Sequence, residues 1–128
     1  MGAILEPIRF ARSGFSLLED FDAIRRIRSL HLHYKPQFVH HFHAKPIIGG
    51  AIAVALTGNP KPSIINTITG LGQAFTSEGV SRKISEIGFR FGLQRSTMTI
   101  FQNSDDMNLF MENGWVSEAR SCMVLGSG

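Results

Sequence analysis

The feature that most constrains the fold of this chain is a regular alternation of short apolar runs with longer segments whose apolar residues recur every three to four positions. Short apolar runs are typical of strands buried in a sheet, and the longer spacing is typical of helices. Strands are predicted over residues 3–8, 38–42, 63–69, 97–101 and 122–125. Helices are predicted over residues 17–34, 47–56, 80–94 and 105–113. This order predicts a three-layer, Rossmann-like α/β domain, with a mostly parallel sheet of about four to five strands and helices on both faces.

Several helix boundaries follow from capping residues. Ser16 can cap the first helix, with Glu19 three residues later, and the pair Lys35 and Pro36 ends this helix. Ser104 can cap the last helix, which has acidic residues in its first turn.

The helix predicted over residues 80–94 is amphipathic. Ile84, Ile87 and Phe91 recur at helical spacing, and we expect them, together with Phe89, to face the core.

Length and composition limit the class of protein. The 128 residues are 43% hydrophobic and 18% charged, which fits one globular domain and excludes a disordered, charge-rich chain. The longest apolar stretch, residues 47–56, is far shorter than a bilayer span, and the first residues do not resemble a signal peptide. The single cysteine, Cys122, lies in an apolar run and fits a buried thiol in a reducing compartment. We therefore expect a cytoplasmic protein.

The formal net charge of +3 comes from scattered basic residues with one short cluster at Arg25, Arg26 and Arg28. A solvated helix face is the ordinary interpretation of such a cluster, and contact with an anionic membrane surface or a diphosphate is the alternative. Basic residues are not interleaved with aromatic ones, so a nucleic-acid partner is not expected.

Polar segments follow three of the predicted strands. Because ligands of open α/β sheets bind at the carboxyl ends of the strands, residues 40–46, 69–76 and 101–106 are expected to converge on one edge.

The first of these segments contains three histidines. With strand periodicity, His41 and His43 point to one side and His40 to the other. His40 and His41 fit satisfied core histidines. His43 falls where the strand leaves the sheet, and Lys45 follows at a helix start, so both can meet a substrate hydroxyl or a phosphate oxygen. No cysteine or nearby acid completes a tetrahedral set, so a metal site is not expected.

The second and third segments are less specific. The second segment contains Gly70, Leu71 and Gly72, which is too short a sequence for a phosphate-binding fingerprint. It fits a tight turn in which the backbone lies close to a neighbour or a ligand. Asn103 lies at the same edge, and the adjacent Asp105 and Asp106 fit the positive end of a helix dipole. These residues alone predict a polar site near His43 and Gly70, without naming a reaction.

Five segments together resemble the N-terminal domain of family 4 glycosyltransferases, in particular the bacterial enzymes that build capsule, exopolysaccharide and O-antigen repeat units. They are Lys-Pro-Gln-Phe-Val-His at 35–40, His-Ala-Lys-Pro at 43–46, Thr-Gly-Leu-Gly-Gln-Ala-Phe-Thr at 69–76, Phe-Gln-Asn-Ser-Asp-Asp at 101–106 and Gly-Ser-Gly at 126–128. Arg-Ser-Gly at 12–14 and the acidic helix that follows fit the same pattern.

The resemblance implies a GT-B fold, in which two Rossmann-like domains face each other across the active-site cleft and residues 1–128 are part of the acceptor-side domain. It implies that His43 is catalytic and reaches toward the transferred sugar. Lys45, Gly70, Leu71, Gly72 and Asn103 would bind substrate at the cleft. No metal and no cofactor are implied, because retaining members use the oxygens of the leaving diphosphate.

The resemblance also implies partners. A nucleotide-sugar, such as a UDP-sugar, would bind the C-terminal domain, which residues 1–128 do not include. The acceptor would be lipid-linked or a saccharide, and the basic cluster with Arg9 would lie against the inner membrane. The family's first strand–loop–helix unit is not found before Ala3, so the strand at 38–42 is expected at an unpaired sheet edge, open to self-association or a complementing chain. The alternatives are a non-catalytic assembly module and a fragment of a nucleotide-sugar epimerase.

Overall fold

The computed structural model describes residues 2–12, 16–70 and 79–126. Its elements are α1 (Leu17–Tyr34), β1 (Phe38–Phe42), α2 (Ala44–Ala55), β2 (Ser63–Ile68), α3 (Val80–Gln94), β3 (Met98–Phe101), α4 (Ser104–Glu112), a short 3-10 helix (Glu118–Arg120) and β4 (Ser121–Met123). The four strands form one parallel sheet in the order β1-β2-β3-β4. The predicted α/β class with a parallel sheet is confirmed.

One hydrophobic core joins the sheet to three helices. Its buried members come from α2, β2, α3, β3, α4 and the segment after α4: Ile47, Ile68, Phe89, Leu93, Phe101, Phe110 and Val116. The Phe110 ring lies at its centre, with ring centroids of Phe89, Phe101 and Trp115 at 5.9, 5.7 and 5.1 Å. Because α2, α3 and α4 share this core, they pack against the same face of the sheet. These three helices therefore do not cover both faces, whereas the sequence predicts helices on both.

The strand predicted at residues 3–8 does not form. Residues 2–10 have no regular secondary structure and lie against α1 and α2. Glu6 accepts a hydrogen bond from Arg26 at 2.7 Å and one from Tyr34 at 3.0 Å. Pro7 has no backbone N–H to donate to a neighbouring strand. The hydrogen bonds of Glu6 to α1 hold this segment away from the sheet.

The inward face predicted for α3 is wrong for Ile84 and Ile87 and confirmed for Phe89. Ile84 and Ile87 are 51% and 70% exposed, whereas Phe89 and Leu93 are 3% and 1% exposed. Helix α3 has two apolar stripes, one with Ile84 and Ile87 and one with Phe89 and Leu93. Its glycines determine which stripe packs against the core. A side chain at Gly92 would lie 3.0 Å from the backbone oxygen of Ile47, so the glycine lets α3 approach α2 closely in the orientation that turns Phe89 and Leu93 to the core.

The caps agree with the prediction for α1 and differ for α4. The Ser16 hydroxyl accepts a hydrogen bond from the Glu19 amide, as expected. For α4 the cap is Asn103 rather than Ser104: its Oδ1 accepts from the Asp106 amide at 2.8 Å. Both side chains suit the position, but the backbone of Asn103 is extended whereas Ser104 is already helical, so Asn103 is the cap.

Two further positions follow from the topology. Strand β1 lies at the edge of the sheet, as the sequence predicts for this strand. Helix α2 begins at Ala44, three residues before the predicted start, because Pro46 is compatible with the first turn of a helix. His43 is therefore the last residue before α2.

Candidate functional site

The candidate site lies at the carboxyl edge of the sheet, where β1 and β2 end side by side. Pairing between the strands ends with Phe42 opposite Thr67, so His43 and Thr69 leave the sheet next to each other. The His43 Nδ1 atom is 2.9 Å from the Thr69 hydroxyl oxygen, and both residues are exposed. The predicted convergence of the first two polar segments is therefore confirmed at His43 and Thr69.

The backbone of His43 is strained. Its φ of 68° and ψ of 165° fall in a region that is almost restricted to glycine and costs about 1–3 kcal/mol for other residues. The sharp turn from β1 into α2 imposes this conformation, and the N–H of Ile47 donates to the His43 carbonyl at 3.2 Å. Strained residues other than glycine are typical of functional sites, which makes His43 a candidate.

The hydrogen bond to Thr69 orients the imidazole of His43. In the tautomer whose Nδ1–H donates to the Thr69 hydroxyl, Nε2 carries a lone pair and can accept a proton or a hydrogen bond from a ligand hydroxyl. Among the described residues Nε2 has no hydrogen-bond partner. The ring is thus held at one nitrogen and available at the other.

Gly70 continues the rim after Thr69. Its φ of 137° favours glycine, and a side chain added there would meet no described atom within 4 Å. None of the described residues therefore fills the space beside this backbone. Leu71 and Gly72, which the sequence assigns to the same loop, lie outside the described residues.

Lys45 lies in the first turn of α2 and contacts α1 and the N-terminal segment. Its Nζ atom donates to the Ala11 carbonyl at 2.6 Å and pairs with Asp20 at 3.3 Å. These bonds fasten α1 and the N-terminal segment to the first turn of α2. The ammonium group thus has protein partners, and a contact between Lys45 and substrate remains a prediction.

Asn103 lies farther along the same edge. It follows β3, which is the second neighbour of β1, so it is separated from His43 by about 10 Å of sheet. Its amide also donates to Asp106 Oδ2 at 2.8 Å, and both ends of the side chain are engaged by α4. Asn103 lies on the rim as predicted, but it does not contact His43.

Beneath the rim, His41 and Asn66 form a buried polar pair that the sequence does not identify as a pair. His41 Nδ1 is 3.1 Å from Asn66 Oδ1, in adjacent strands that are in register. The ring occupies space above Gly50 of α2, where a side-chain carbon would lie only 2.2 Å from His41 Nε2. This pair holds β1 against β2 and α2, and thereby positions His43. His40 lies 2.7 Å from the Thr67 hydroxyl but is exposed, so the assignment to the core is confirmed for His41 and wrong for His40.

Burial lowers the pKa of His41 below its ordinary value of 6.5, although the hydrogen bond to Asn66 acts in the opposite direction. Burial also lowers the pKa of His31, which lies on α1. Each group therefore binds its proton more weakly in the folded chain than in the unfolded chain. As the pH falls through 6.5, the unfolded chain takes up protons first and becomes favoured.

We accordingly expect the free energy of unfolding to decrease on acidification from about pH 7.5 to about pH 5.5, by up to about 1.4 kcal/mol per pH unit for each buried histidine. Urea unfolding across this range measures the slope. The variant His41→Leu should have a shallower slope, whereas His33→Leu, which removes an exposed histidine, should leave it unchanged. Equal slopes for His41→Leu and the parent chain would contradict the assignment.

Within residues 2–12, 16–70 and 79–126, no group of three or more histidine, cysteine, aspartate or glutamate side chains could hold a metal ion. No described helix is long and apolar enough to cross a membrane. Comparison of the chain with known protein families and with curated proteins finds no match to either.

Proposed function

We propose that this chain is the acceptor-side domain of a GT-B glycosyltransferase that acts in cell-surface polysaccharide synthesis, with His43 at its active centre. The observation that carries the proposal is the exposed, backbone-strained His43 at the carboxyl edge of a parallel sheet, with one ring nitrogen bonded to Thr69 and the other directed to no described residue. The motif resemblance of residues 35–46 and 69–76 supplies the reaction class.

The proposed role of His43 follows from its chemistry. A sugar hydroxyl that approaches the rim can donate a hydrogen bond to Nε2, which fixes the sugar relative to the acceptor. No described residue fills the space at Gly70, where the sugar ring would lie. Substrate contacts of Leu71 and Gly72 remain predictions from the resemblance. Asn103 and Lys45 remain predicted substrate contacts at the two ends of this rim.

The start of α2 supports binding of a negatively charged group. Its first turn contains no acidic residue, and His43 makes no side-chain capping bond. The positive end of the helix dipole favours phosphate oxygens. A diphosphate or a phosphate-linked acceptor is therefore compatible with this corner of the rim.

In this proposal the UDP-sugar binds a second Rossmann-like domain that residues 1–128 do not include. We expect the chain alone to transfer no sugar. Transfer should appear when a second polypeptide, carrying the donor-binding half and the first strand–loop–helix unit of a family 4 glycosyltransferase, is co-expressed and co-purified with it. The measurement is UDP release that depends on added acceptor.

Two outcomes would contradict the proposal. Tight binding of UDP by the isolated chain, measured by calorimetry, would contradict the assignment to the acceptor side. A stable complex of the two polypeptides without transfer would favour the second candidate, a non-catalytic assembly module. That candidate is supported by β1, which lies at the sheet edge and exposes Phe38 and Phe42.

A further inference from the structure

A cavity of about 240 Å³ lies at the amino edge of the sheet, at the opposite end of β1 from His43. Residues between 31 and 37 line part of it, where α1 ends and the chain enters β1. Residues between 57 and 62 line the rest, where the chain leaves α2 and enters β2. Because β1 has five residues that each advance about 3.3 Å, this cavity lies about 16 Å from His43 and is separate from the candidate site.

The lining of this cavity is positively charged. Lys35 and Lys61 both line it, one from each of the two segments, and none of the described residues that line it is acidic. Gln37 and Asn59 have side-chain amides that can donate hydrogen bonds, and Leu32 and three prolines supply apolar surface. Such a lining suits a small organic anion that has a charged end and an apolar end.

Neither lysine side chain caps the helices that end nearby. At the end of α1, the His31 carbonyl accepts from the backbone N–H of Lys35 at 2.9 Å. At the end of α2, the Leu56 carbonyl accepts from Arg28 at 2.8 Å. Within the described residues, neither exposed ammonium group has an ion-pair or hydrogen-bond partner. Other groups therefore already fill the usual role of a lysine at a helix C-terminus.

His31 adds a buried polar group to the same cavity. The residue is 8% exposed, and its Nδ1 atom is buried without a hydrogen-bond partner among the described residues. Because an unpaired buried polar atom costs free energy, such an atom in a folded chain calls for an explanation. Burial lowers the pKa of His31, so its ring is neutral near pH 7 and can donate one N–H. A ligand in the cavity can supply the partner of this ring.

Size and charge limit the ligand. The volume of about 240 Å³ is below the range of about 300–1,000 Å³ that holds drug-sized ligands. A phosphate monoester has a charge of about −1.5 to −2 near pH 7, which two lysines balance, whereas a carboxylate has only one negative charge. A small phosphate monoester therefore fits this cavity better than a nucleotide or a monocarboxylate does.

We propose that the cavity between residues 31–37 and 57–62 binds a small phosphate monoester. The phosphate oxygens accept hydrogen bonds from the ammonium groups of Lys35 and Lys61 and from the ring of His31. The organic part of the ligand lies against Leu32 and the prolines. The inference goes beyond the proposed function, because this site shares no residue with the rim at His43 and requires no second domain.

Calorimetric titration of the chain with phenyl phosphate at about pH 7.5 tests the proposal. We expect saturable binding of one molecule per chain. Inorganic phosphate should bind at least about fivefold more weakly, because it has no organic part to contact the apolar surface. Lys35→Gln and Lys61→Gln should each weaken the binding of phenyl phosphate at least about fivefold, since each removes a charged donor. In NMR spectra the ring signals of His31 should shift on binding, whereas those of His33, which does not line the cavity, should not.

Two variants serve as controls. Lys83→Gln removes an exposed lysine of α3, and His43→Ala alters the proposed active centre, and both should bind phenyl phosphate as the parent chain does. Loss of binding in His43→Ala but not in the Lys35 and Lys61 variants would assign the phosphate to the other edge and overturn this inference. Absence of saturable binding by the parent chain would also overturn it. Inorganic phosphate that binds as tightly as phenyl phosphate would contradict an organic ligand.

Discussion

Replacing His43 with alanine is expected to lower sugar transfer by the complemented enzyme about 100-fold or more. In the proposed function, this variant removes the Nε2 atom that would accept a hydrogen bond from the sugar hydroxyl, and Thr69 no longer has a ring to orient. UDP release with saturating acceptor gives kcat, and its dependence on acceptor concentration gives KM. Since His43 is exposed, the alanine variant should unfold at nearly the same urea concentration as the parent chain.

The variant His43→Gly separates catalysis from folding. Glycine adopts the φ of 68° without the strain that a side chain imposes, so this variant should be more stable than the parent chain by about 1 kcal/mol and yet equally inactive. His33→Ala removes another exposed histidine and should change neither property. Transfer at the parent rate by His43→Gly would refute the assignment of His43 as catalytic.

The largest expected effect on stability comes from Gly50→Ala, which should lower the free energy of unfolding by about 3 kcal/mol. The new methyl carbon would lie 2.2 Å from Nε2 of His41, which is 8% exposed and held by Asn66. The ring cannot move aside without breaking that hydrogen bond in the interior. Urea unfolding of the two proteins measures the difference.

Gly49→Ala is the matched control in the same helix. Its methyl carbon would meet the Phe10 ring at 3.0 Å, and Phe10 belongs to the irregular N-terminal segment that can yield. Alanine is favoured over glycine inside a helix by about 0.5–1 kcal/mol, so the net change should be small. If Gly50→Ala is no more destabilising than Gly49→Ala, the close contact with His41 does not constrain the fold. The double variant His41→Ala, Gly50→Ala should lose less stability than the two single changes together.

The order of elements could be predicted because it depends on local signals. Ser16 and Pro36 delimit α1 through capping and proline geometry, which need no information about distant residues. The strand predicted at residues 3–8 failed for the opposite reason. A strand forms only where it can pair with another strand. The N-terminal segment is bonded to α1 instead, because Glu6 accepts hydrogen bonds from Arg26 and Tyr34.

The candidate site could be predicted in part. His43 and Gly70 lie at the carboxyl edge because each follows a parallel strand, which is a consequence of topology. The partner of His43 could not be identified, since the hydrogen bond to Thr69 depends on the register of β1 against β2. Lys45 also follows β1, but its ammonium group pairs with Asp20 because α1 packs against α2.

The opening alternation of apolar runs determined the α/β class, the sequence of strands and helices, and the edge of the sheet at which polar residues gather. Those properties follow from periodicity and from capping, which act within a few residues. Only the tertiary structure decided which of the two apolar stripes of α3 enters the core. Gly92 allows α3 to approach Ile47 closely, and this contact buries Phe89 while it leaves Ile84 and Ile87 on the surface. The choice depends on close packing between helices that are distant in sequence, which no local pattern encodes.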